Sequence, residues 1–463
     1  MNNYQNTIAA ISTPPGKGGV AIIRISGTDA VKIAAEVFFP VSKKSFADAT
    51  PRMQIYGNVV HGECVIDDGM ATYFKAPSSY TGEDVVEISC HGGILVTEAV
   101  LEALFAHGAT PARAGEFTER AFLAGKLSLT EAEAVGNLLE AESREQIKLA
   151  SAKSRSKLTD KIASMKKTLT SILSSTFARI DYPDEDLGDF SDGEALKMLG
   201  EVKISAEALL DTYDTAKAVC EGVKTVICGK PNVGKSSIYN LLVGRDAAIV
   251  TDVEGTTRDV LTERIQLGKI MLQLSDTAGL RDGRTSDVVE KIGMERTRRA
   301  ISDCELILAV FDRSAELDGE DKELISLICT SSAAKIAILN KSDGEARLCT
   351  DEISGFDSLL EISALKDGNE AKRKLSEIVN KLFVDEKISL GNEAVIFSAR
   401  QRASLEKAIR LIDSAIAAIR LGMPEDATAS DVEAALAALG ELDGRSVTEE
   451  IVADIFSKFC VGK

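Results

Sequence analysis

The chain has 463 residues, of which 44% are hydrophobic and 27% are charged, and its formal net charge is −18. This length and balance predict a soluble protein of about two to four domains. Apolar runs such as LILAVF are too short to cross a bilayer, which takes about 20 residues. The first residues have the features of neither a secretory signal nor a transit peptide, so we expect a cytoplasmic protein with no membrane association.

The eight cysteines are scattered without a C-x-x-C pair, and with three histidines in the chain a zinc site is not expected. We expect the cysteines to be reduced and seven of them to be packing residues. An acidic chain binds nucleic acid only through a local basic face. Residues 144–179 carry nine Lys or Arg against two acids, which fits an RNA-facing surface and a solvated helix face equally well.

Residues 1–120 combine short strand patterns (GVAIIRISG, DDGMATYF, DVVEISCHGG) with one helix, ILVTEAVLEALFAHG, which predicts an N-terminal α+β domain. Residues 121–221 contain almost no strand patterns and predict helices. Ser128 and Glu131 form a capping-box pattern at the start of one of these helices.

Residues 222–384 alternate apolar strands with helices, which predicts a mostly parallel sheet covered on both faces. Residues 385–463 are helical again, with two more capping-box patterns, Ser430 with Glu433 and Ser446 with Glu449. We therefore expect a multidomain α/β and α protein in which an α/β domain is inserted between two segments of one helical domain.

The segment GKPNVGKSS (229–237) follows the strand KTVIC and fits the phosphate-loop pattern G-x-x-x-x-G-K-[ST]. Its glycines let backbone N–H groups approach phosphates. Lys235 is expected to reach the outer phosphates, and the Ser236 hydroxyl is expected to ligate Mg²⁺.

Three further segments follow in the order of a GTP-binding domain. DTAGL (276–280) offers Asp276 to the metal through water and the N–H of Gly279 to the γ-phosphate. NKSD (340–343) offers a carboxylate, Asp343, that matches guanine and not adenine. SAL (363–365) can present an N–H to the guanine O6, and GTTRD (255–259) carries a threonine for Mg²⁺.

One departure concerns the attacking water. Leu280 stands where Ras-like enzymes use a glutamine, so hydrolysis is slow or another group takes that role. Glu290 is a candidate, although a solvated helix residue fits it as well. Asn232 in the phosphate loop could help to hold a monovalent cation where an arginine finger otherwise acts.

The whole chain resembles the MnmE (TrmE) family of tRNA-modification GTPases. The resemblance rests on STPPGKGGVAIIRISG, YTGEDVVEISCHGG, ARAGEFTERAFLAGKLSLTEAEAV, IDYPDED, the GTPase segments and the terminal FSKFCVGK. It implies an N-terminal folate-binding and dimerisation domain, a discontinuous helical domain and an inserted Ras-like G domain that dimerises in a potassium-dependent way.

The resemblance also implies a reaction and its partners. A homodimer works with an FAD-containing protein of the MnmG (GidA) family. Together they add a carboxymethylaminomethyl or aminomethyl group to C5 of the wobble uridine of certain tRNAs. The one-carbon donor is 5-formyltetrahydrofolate or 5,10-methylenetetrahydrofolate. The chain contains no G-x-G-x-x-G segment, so we expect FAD only in the partner.

Carried onto this sequence, the family's residues fall into three groups. Glu290 corresponds to the water-activating group, and the folate positions correspond to Arg24, Glu87, Lys126 and Lys463. The Mg²⁺ ligands are Ser236 and Thr257, and the K⁺ ligands are Asn232, Thr251, Val253 and Thr256. The expected GTP site comprises Asn232, Val233, Gly234, Lys235, Ser236, Ser237, Thr251, Asp252, Val253, Glu254, Gly255, Thr256, Thr257, Asp276, Thr277, Ala278, Gly279, Asn340, Lys341, Asp343, Ser363 and Ala364.

The terminal segment SVTEEIVADIFSKFCVGK predicts a helix with Ile451, Ile455 and Phe459 on one apolar face. We expect this face to tie the tail down and to deliver Cys460 to the folate pocket as a catalytic thiol; a structural thiol is the other interpretation.

Two other functions remain open from the sequence. One is an RNA-binding GTPase of the ribosome-assembly type, and the other is a folate-dependent one-carbon transferase that does not use RNA.

Overall fold

The computed structural model describes residues 6–182, 191–244, 263–274, 298–385, 388, 390–444 and 447–462. The chain forms two compact units. The first comprises Met1–Leu139, Thr159–Val202 and Ser404–Lys463, and the second comprises Glu140–Leu158 and Lys203–Ala403. Within the described ranges, no helix is both long enough and apolar enough to cross a membrane.

The described part of the chain contains strands and helices in the following order. The strands are β1 (Ile8–Ile11), β2 (Gly18–Ser26), β3 (Phe38–Pro40), β4 (Gln54–His61), β5 (Cys64–Phe74), β6 (Val85–Gly92), β7 (Thr110–Pro111), β8 (Val223–Cys228), β9 (Glu263–Leu267), β10 (Ile270–Leu274), β11 (Leu306–Asp312), β12 (Ala334–Asn340) and β13 (Ser358–Glu361). The helices are α1 (Ala30–Val37), α2 (Ile94–Ala106), α3 (Glu116–Leu123), α4 (Leu129–Leu139), α5 (Arg144–Leu149), α6 (Ala152–Asp181), α7 (Asp192–Leu210), α8 (Tyr213–Cys220), α9 (Lys235–Val243), α10 (Gly319–Cys329), α11 (Gly368–Phe383), α12 (Ala399–Arg420), α13 (Glu425–Asp443) and α14 (Glu449–Ser457).

A seven-stranded sheet in the order β3-β4-β5-β6-β2-β1-β7 forms the N-terminal part of the first unit. All its neighbouring strands are antiparallel except β1 and β7. The helices α1 and α2 pack on this sheet, and the core between them contains Ile23, Ile25, Val86 and Ile88. Side chains alternate along a strand, so Arg24 and Glu87, which are directly paired across β2 and β6, lie on the opposite face.

The capping box predicted at the start of α4 is confirmed. The backbone N–H of Ser128 donates to the Glu131 carboxylate at 2.8 Å, and the N–H of Glu131 donates to the Ser128 hydroxyl at 3.2 Å. This exchange satisfies N–H groups that the first turn of a helix leaves without a partner.

Of the other two predicted capping boxes, the one at Ser430 is wrong. Ser430 lies inside α13, which begins at Glu425, because the chain is already helical after Pro424. Ser446 lies outside the described residues, and the residue that precedes α14 is Thr448.

The terminal helix α14 packs against α3 and α4, but with a shifted face. Val452 and Phe456 are buried, whereas Ile451 is 43% exposed. The Phe456 ring lies 6.1 Å from that of Phe122, and both buried residues contact Leu129. The predicted face through Ile451 is therefore wrong by about one residue, and the helix ends at Ser457 instead of Phe459.

The second unit contains a six-stranded sheet in the order β13-β12-β11-β8-β10-β9, parallel except for the pair β9 and β10. Two hydrophobic cores lie on its two faces. One contains residues of α9 and α11, and the other contains residues of α10. The parallel sheet with both faces covered is therefore confirmed.

An aspartate–histidine pair joins neighbouring strands of the first sheet. Asp67 on β5 accepts the backbone N–H of His91 at 2.7 Å, and its other oxygen lies 2.8 Å from Nδ1 of the same residue. The hydrogen bond and the charge of Asp67 raise the pKa of His91 above its usual range. Burial opposes ionisation of Asp67, but the N–H and ring of His91 outweigh it and lower the pKa of this carboxyl.

We expect Asp67→Asn to lower the pKa of His91 toward its ordinary value of about 6.5. Because the folded-state pKa of His91 is raised, the pair stabilises the fold below the ordinary histidine pKa, and that stabilisation is lost as the pH rises through the raised value. An NMR titration of the three imidazoles measures the shift, with His91→Gln assigning the resonance and His107 as the internal control. An unchanged His91 titration would contradict the assignment.

Candidate functional site

The predicted phosphate loop lies between β8 and α9 in the second unit. Gly229 and Gly234 have φ angles of 147° and 105°, and Asn232 between them has a φ of 64°. A Cβ atom at Gly229 would lie 2.3 Å from the carbonyl oxygen of Val310. The loop thus needs glycine both for its left-handed backbone and for its close approach to β11.

Lys235, the first residue of α9, is held by the loop itself. Its ammonium donates to the carbonyl oxygens of Gly229 at 2.7 Å and Lys230 at 2.6 Å. Burial lowers the pKa of Lys235, since these neutral carbonyls compensate only part of the lost hydration. Ser236 and Ser237 follow on the same first turn, where helix N–H groups favour an anion.

Asn340 joins three of the predicted nucleotide motifs. Its side-chain NH₂ donates to the carbonyl of Val233 at 2.9 Å, and its side-chain oxygen accepts the N–H of Ala364 at 3.0 Å. The side chain is 4% exposed. A Cβ at Gly234 would lie 2.0 Å from its nitrogen, so the second loop glycine makes room for this amide.

Asp343 lies at the end of the same edge of the sheet. Hydrogen bonding by the Ser363 side chain and by Lys366 lowers the pKa of its carboxyl, and the Lys366 ammonium lies 3.1 Å from Oδ2. Lys341 adopts a φ of 63°, and its ammonium pairs with Asp312 at 2.5 Å. The structure thus brings together Asn340, Lys341, Asp343, Ser363 and Ala364 around one position, with the phosphate loop beside it.

The remaining expected nucleotide, metal and catalytic residues lie outside the described ranges. They are Thr251, Asp252, Val253, Glu254, Gly255, Thr256, Thr257, Asp276, Thr277, Ala278, Gly279, Leu280 and Glu290. The described residues already provide a glycine loop, a buried cation, a helix N-terminus and a carboxylate, the groups that bind a purine nucleotide through its phosphates and its base.

A second site lies on the sheet of the first unit. Two nitrogens of the Arg24 guanidinium donate to Oε1 of Glu87, Nε at 2.9 Å and Nη2 at 2.8 Å. The guanidinium carbon lies 5.4 Å from the Tyr80 ring centre and 5.6 Å from that of Phe117. Aromatic faces favour cations, so Arg24 is fixed and the orientation of Glu87 is fixed with it.

Lys126 lies beside the segment that carries Tyr80. Its ammonium donates to the carbonyl oxygen of Pro77 at 2.9 Å, and a Cβ at Gly82 would lie 3.6 Å from its Cγ. The structure therefore brings Lys126 to the 77–82 segment, whose tyrosine contacts Arg24. The fourth expected folate residue, Lys463, lies outside the described part of the chain.

The C-terminal tail reaches this second site. Val461 pairs with Ala114 in an isolated antiparallel bridge, and the carbonyl of Cys460 accepts the N–H of Gly115 at 3.3 Å. The carbonyl of Gly462 accepts hydrogen bonds from Ser12 at 3.0 Å and from Nη1 of Arg24 at 3.3 Å. The terminal residues therefore lie against the residues that the family resemblance assigned to the folate pocket.

Sequence reasoning missed several of these groups. Ser12, Tyr80 and Phe117 contact Arg24 or its tail partner, and Lys366 pairs with Asp343. Tyr80 begins the segment YTGED, which belongs to the N-terminal block that carries the family resemblance. Ser12 and Lys366 carry no pattern that assigns them, because their roles depend on contacts between distant parts of the chain.

All eight cysteines are free thiols. Burial raises the pKa of Cys90 and Cys304 to about 11 and of Cys220 and Cys228 to about 12, which leaves these four unreactive as thiolates. Cys64, Cys329, Cys349 and Cys460 are exposed. The prediction that every cysteine except Cys460 is a packing residue is therefore wrong for three of them.

The chain was compared with known families and proteins. The family model described as "GTP-binding protein TrmE N-terminus" matches residues 7–126, and the model described as "MnmE helical domain" matches residues 129–460. The protein named tRNA modification GTPase MnmE from Clostridioides difficile is 38% identical over 461 residues, which is 99% of each chain. The protein of the same name from Natranaerobius thermophilus is 40% identical over 465 residues, covering 99% of this chain and all of the relative.

Similarity to solved structures is much weaker. A structure of Aquifex aeolicus Era bound to GDP.AlF4- covers 41% of this chain and 66% of its own, at 22% identity and a TM-score of 0.27, which adds nothing to the assignment. The two family models and the full-length relatives decide it. The chain belongs to the MnmE (TrmE) family.

Proposed function

We propose that this chain is a GTP-hydrolysing enzyme that acts in tRNA modification, as the names of its full-length relatives state for those proteins. The observation that carries the nucleotide part is the buried amide of Asn340, which hydrogen-bonds both the phosphate loop and the 363–365 segment. That amide fixes the distance between the place for phosphates and the place for a guanine base.

GTP is bound with Mg²⁺ in this proposal. Ser236 and Thr257 are the protein ligands of the metal, which would neutralise charge on the transferring phosphoryl group. K⁺ would be held by Asn232, Thr251, Val253 and Thr256 when two G domains pair across their nucleotides. Glu290 would then orient the attacking water in place of the glutamine that Leu280 replaces.

The N-terminal site is proposed to bind a one-carbon tetrahydrofolate through Arg24, Glu87, Lys126 and Lys463. A carboxylate matches the amino and N–H edge of a pterin, as Asp343 matches guanine. Only Oε1 of Glu87 is used by Arg24, and within the described residues Oε2 accepts no hydrogen bond. One carboxylate oxygen is therefore available to a ligand.

The product of the proposed reaction is a tRNA with a carboxymethylaminomethyl or aminomethyl group on C5 of its wobble uridine. The redox chemistry is assigned to an FAD-containing partner of the MnmG (GidA) family, and the working form is a homodimer in complex with that partner. We place the folate domain at 1–120, the helical domain at 121–221 and 385–463, and the G domain at 222–384.

The alternative of a ribosome-assembly GTPase predicts an RNA-binding module after the G domain. The described residues of that region form the helices α12, α13 and α14, and the last of these leads into a tail bound beside Arg24. A tail at the N-terminal site favours a chain whose two ends act in one reaction.

Asp343→Asn should weaken GTP binding and shift the preference toward xanthosine triphosphate. An unpaired polar group at the base costs about 1–3 kcal/mol, so losing both donors of guanine should lower affinity roughly 30-fold or more. Titration with fluorescent GTP and XTP analogues measures this. Lys366→Ala serves as the control because it keeps the carboxylate, and equal GTP affinity in Asp343→Asn would contradict the assignment.

Hydrolysis should be faster in K⁺ than in Na⁺ at matched ionic strength. A cation in the place of an arginine finger is worth about 10³–10⁵ in kcat where such fingers act, so we expect at least about a tenfold difference. Asn232→Gly should abolish the difference, because glycine tolerates the φ of 64° and removes the ligand oxygen. Equal turnover in the two salts would exclude a K⁺ role.

Cys460→Ser should abolish tRNA modification while folding and GTP hydrolysis continue, because its neighbours hold the tail through the main chain. Mass spectrometry of the wobble uridines in a deletion strain carrying the variant measures the effect. Cys64→Ser, at another exposed thiol of the first unit, is the matched control. A fully modified tRNA pool with Cys460→Ser would show that the thiol takes no part.

A further inference from the structure

Arg24 is shared between the ligand-facing carboxylate and the C-terminal tail. Two of its nitrogens bind Oε1 of Glu87, and the third, Nη1, donates to the carbonyl of Gly462. The rings of Tyr80 and Phe117 lie beside the guanidinium, and its side chain is 15% exposed. All three nitrogens of this planar fork therefore have fixed directions, and a change at one partner is felt by the other.

The carbonyl of Gly462 is also held from a second side. Ser12, next to the end of β1, donates to the same oxygen at 3.0 Å. Gly462 has a φ of 94°, and a Cβ there would lie 2.2 Å from the carbonyl oxygen of Ile11. The tail therefore lies directly on the first strand, in a backbone conformation that excludes any side chain at this position.

We propose that Ser12 and Arg24 are positioning residues that couple docking of the C-terminal tail to occupancy of the Arg24–Glu87 site by a pterin-type ligand. This inference rests on the proposed folate function. A docked tail holds the guanidinium, the guanidinium holds Glu87, and a carboxylate that is already oriented binds its ligand with a smaller loss of conformational entropy. By reciprocity, the ligand must hold the tail in place by the same factor.

The coupling gives the reaction an order. Because the tail carries Cys460, a ligand that strengthens tail docking also fixes the position of the thiol relative to the site. A chain without ligand would spend more time with Cys460 away from the pocket. The thiol is then presented where a one-carbon unit is bound, without any further conformational device.

The test measures binding of 5-formyltetrahydrofolate by calorimetry to the full-length chain and to two variants. Ser12→Ala removes one donor to the Gly462 carbonyl and leaves Arg24 and Glu87 untouched. One hydrogen bond predicts a loss of affinity of roughly 2–10-fold. Gly462→Ala forces the tail off Ile11, and we expect a loss at least as large.

Ser45→Ala is the matched control, because its hydroxyl accepts the N–H of Ala47 in a turn and touches neither the tail nor Arg24. It should bind the folate like the unaltered chain and hydrolyse GTP at the same rate. Thermal unfolding of each variant shows whether its fold is intact.

Hydrogen exchange of the tail supplies a readout that does not depend on activity. In the unaltered chain the folate should slow exchange of the Gly115 amide, which donates to Cys460, and of the terminal peptide. Ser12→Ala should exchange faster without ligand and show a smaller effect of the ligand.

The outcomes separate the two proposals. Folate binding with equal affinity in Ser12→Ala and Gly462→Ala, or with no effect on tail exchange, overturns the coupling and leaves the folate site standing. No folate binding to the unaltered chain overturns the folate site and the coupling together.

Discussion

The first unit depends on a group of buried charges at the start of α3. The guanidinium of Arg120 is 2% exposed and pairs with Glu116 at 2.8 Å and with Glu83 at 3.1 Å. It also donates to the backbone carbonyl of Asn6. Removing one partner of a buried pair costs about 3–5 kcal/mol, because the remaining charge cannot be solvated. The three segments that carry these groups are therefore held in one arrangement.

The second site is built on that arrangement. The helix fixed by Arg120 also carries Phe117, which stacks on Arg24, and it starts after Gly115, whose N–H binds the tail. A Cβ at Gly115 would lie 2.5 Å from the carbonyl oxygen of Phe456, so the start of α3 meets the end of α14 without space for a side chain. The buried ion group thus positions the guanidinium, the aromatic wall and the tail together.

The sequence predicts the second unit better than the first, for a physical reason. The phosphate loop and the segments 340–343 and 363–365 are local patterns at the ends of parallel strands, and such ends share one edge of the sheet. The Arg24–Glu87 pair joins residues 63 positions apart and arises only from the register of β2 and β6. Without the family resemblance, no local pattern would have selected either residue.

The errors in the helices have a similar origin. Periodicity places an apolar face on α14 to within about one residue, but the residues that are buried are those that meet Phe122 and Leu129. Ser430 satisfies a capping pattern, yet Pro424 begins α13 earlier, and a serine inside a helix that already exists has no end to cap. Partners that lie far along the chain decide both details.

The contact between Ser12 and Gly462 spans 450 positions and has a consequence for biosynthesis. Domains generally fold as units during translation, N-terminal first, and at about 5–20 residues per second the second partner is made roughly 20–90 s after the first. The N-terminal sheet can therefore fold while the place for the tail is still vacant. A chain that stops short of Cys460 can in the same way hold a folded nucleotide-binding sheet and an incomplete Arg24 site. Docking of the segment 460–462 thus distinguishes such truncated products from chains in which the N-terminal pocket is fully assembled.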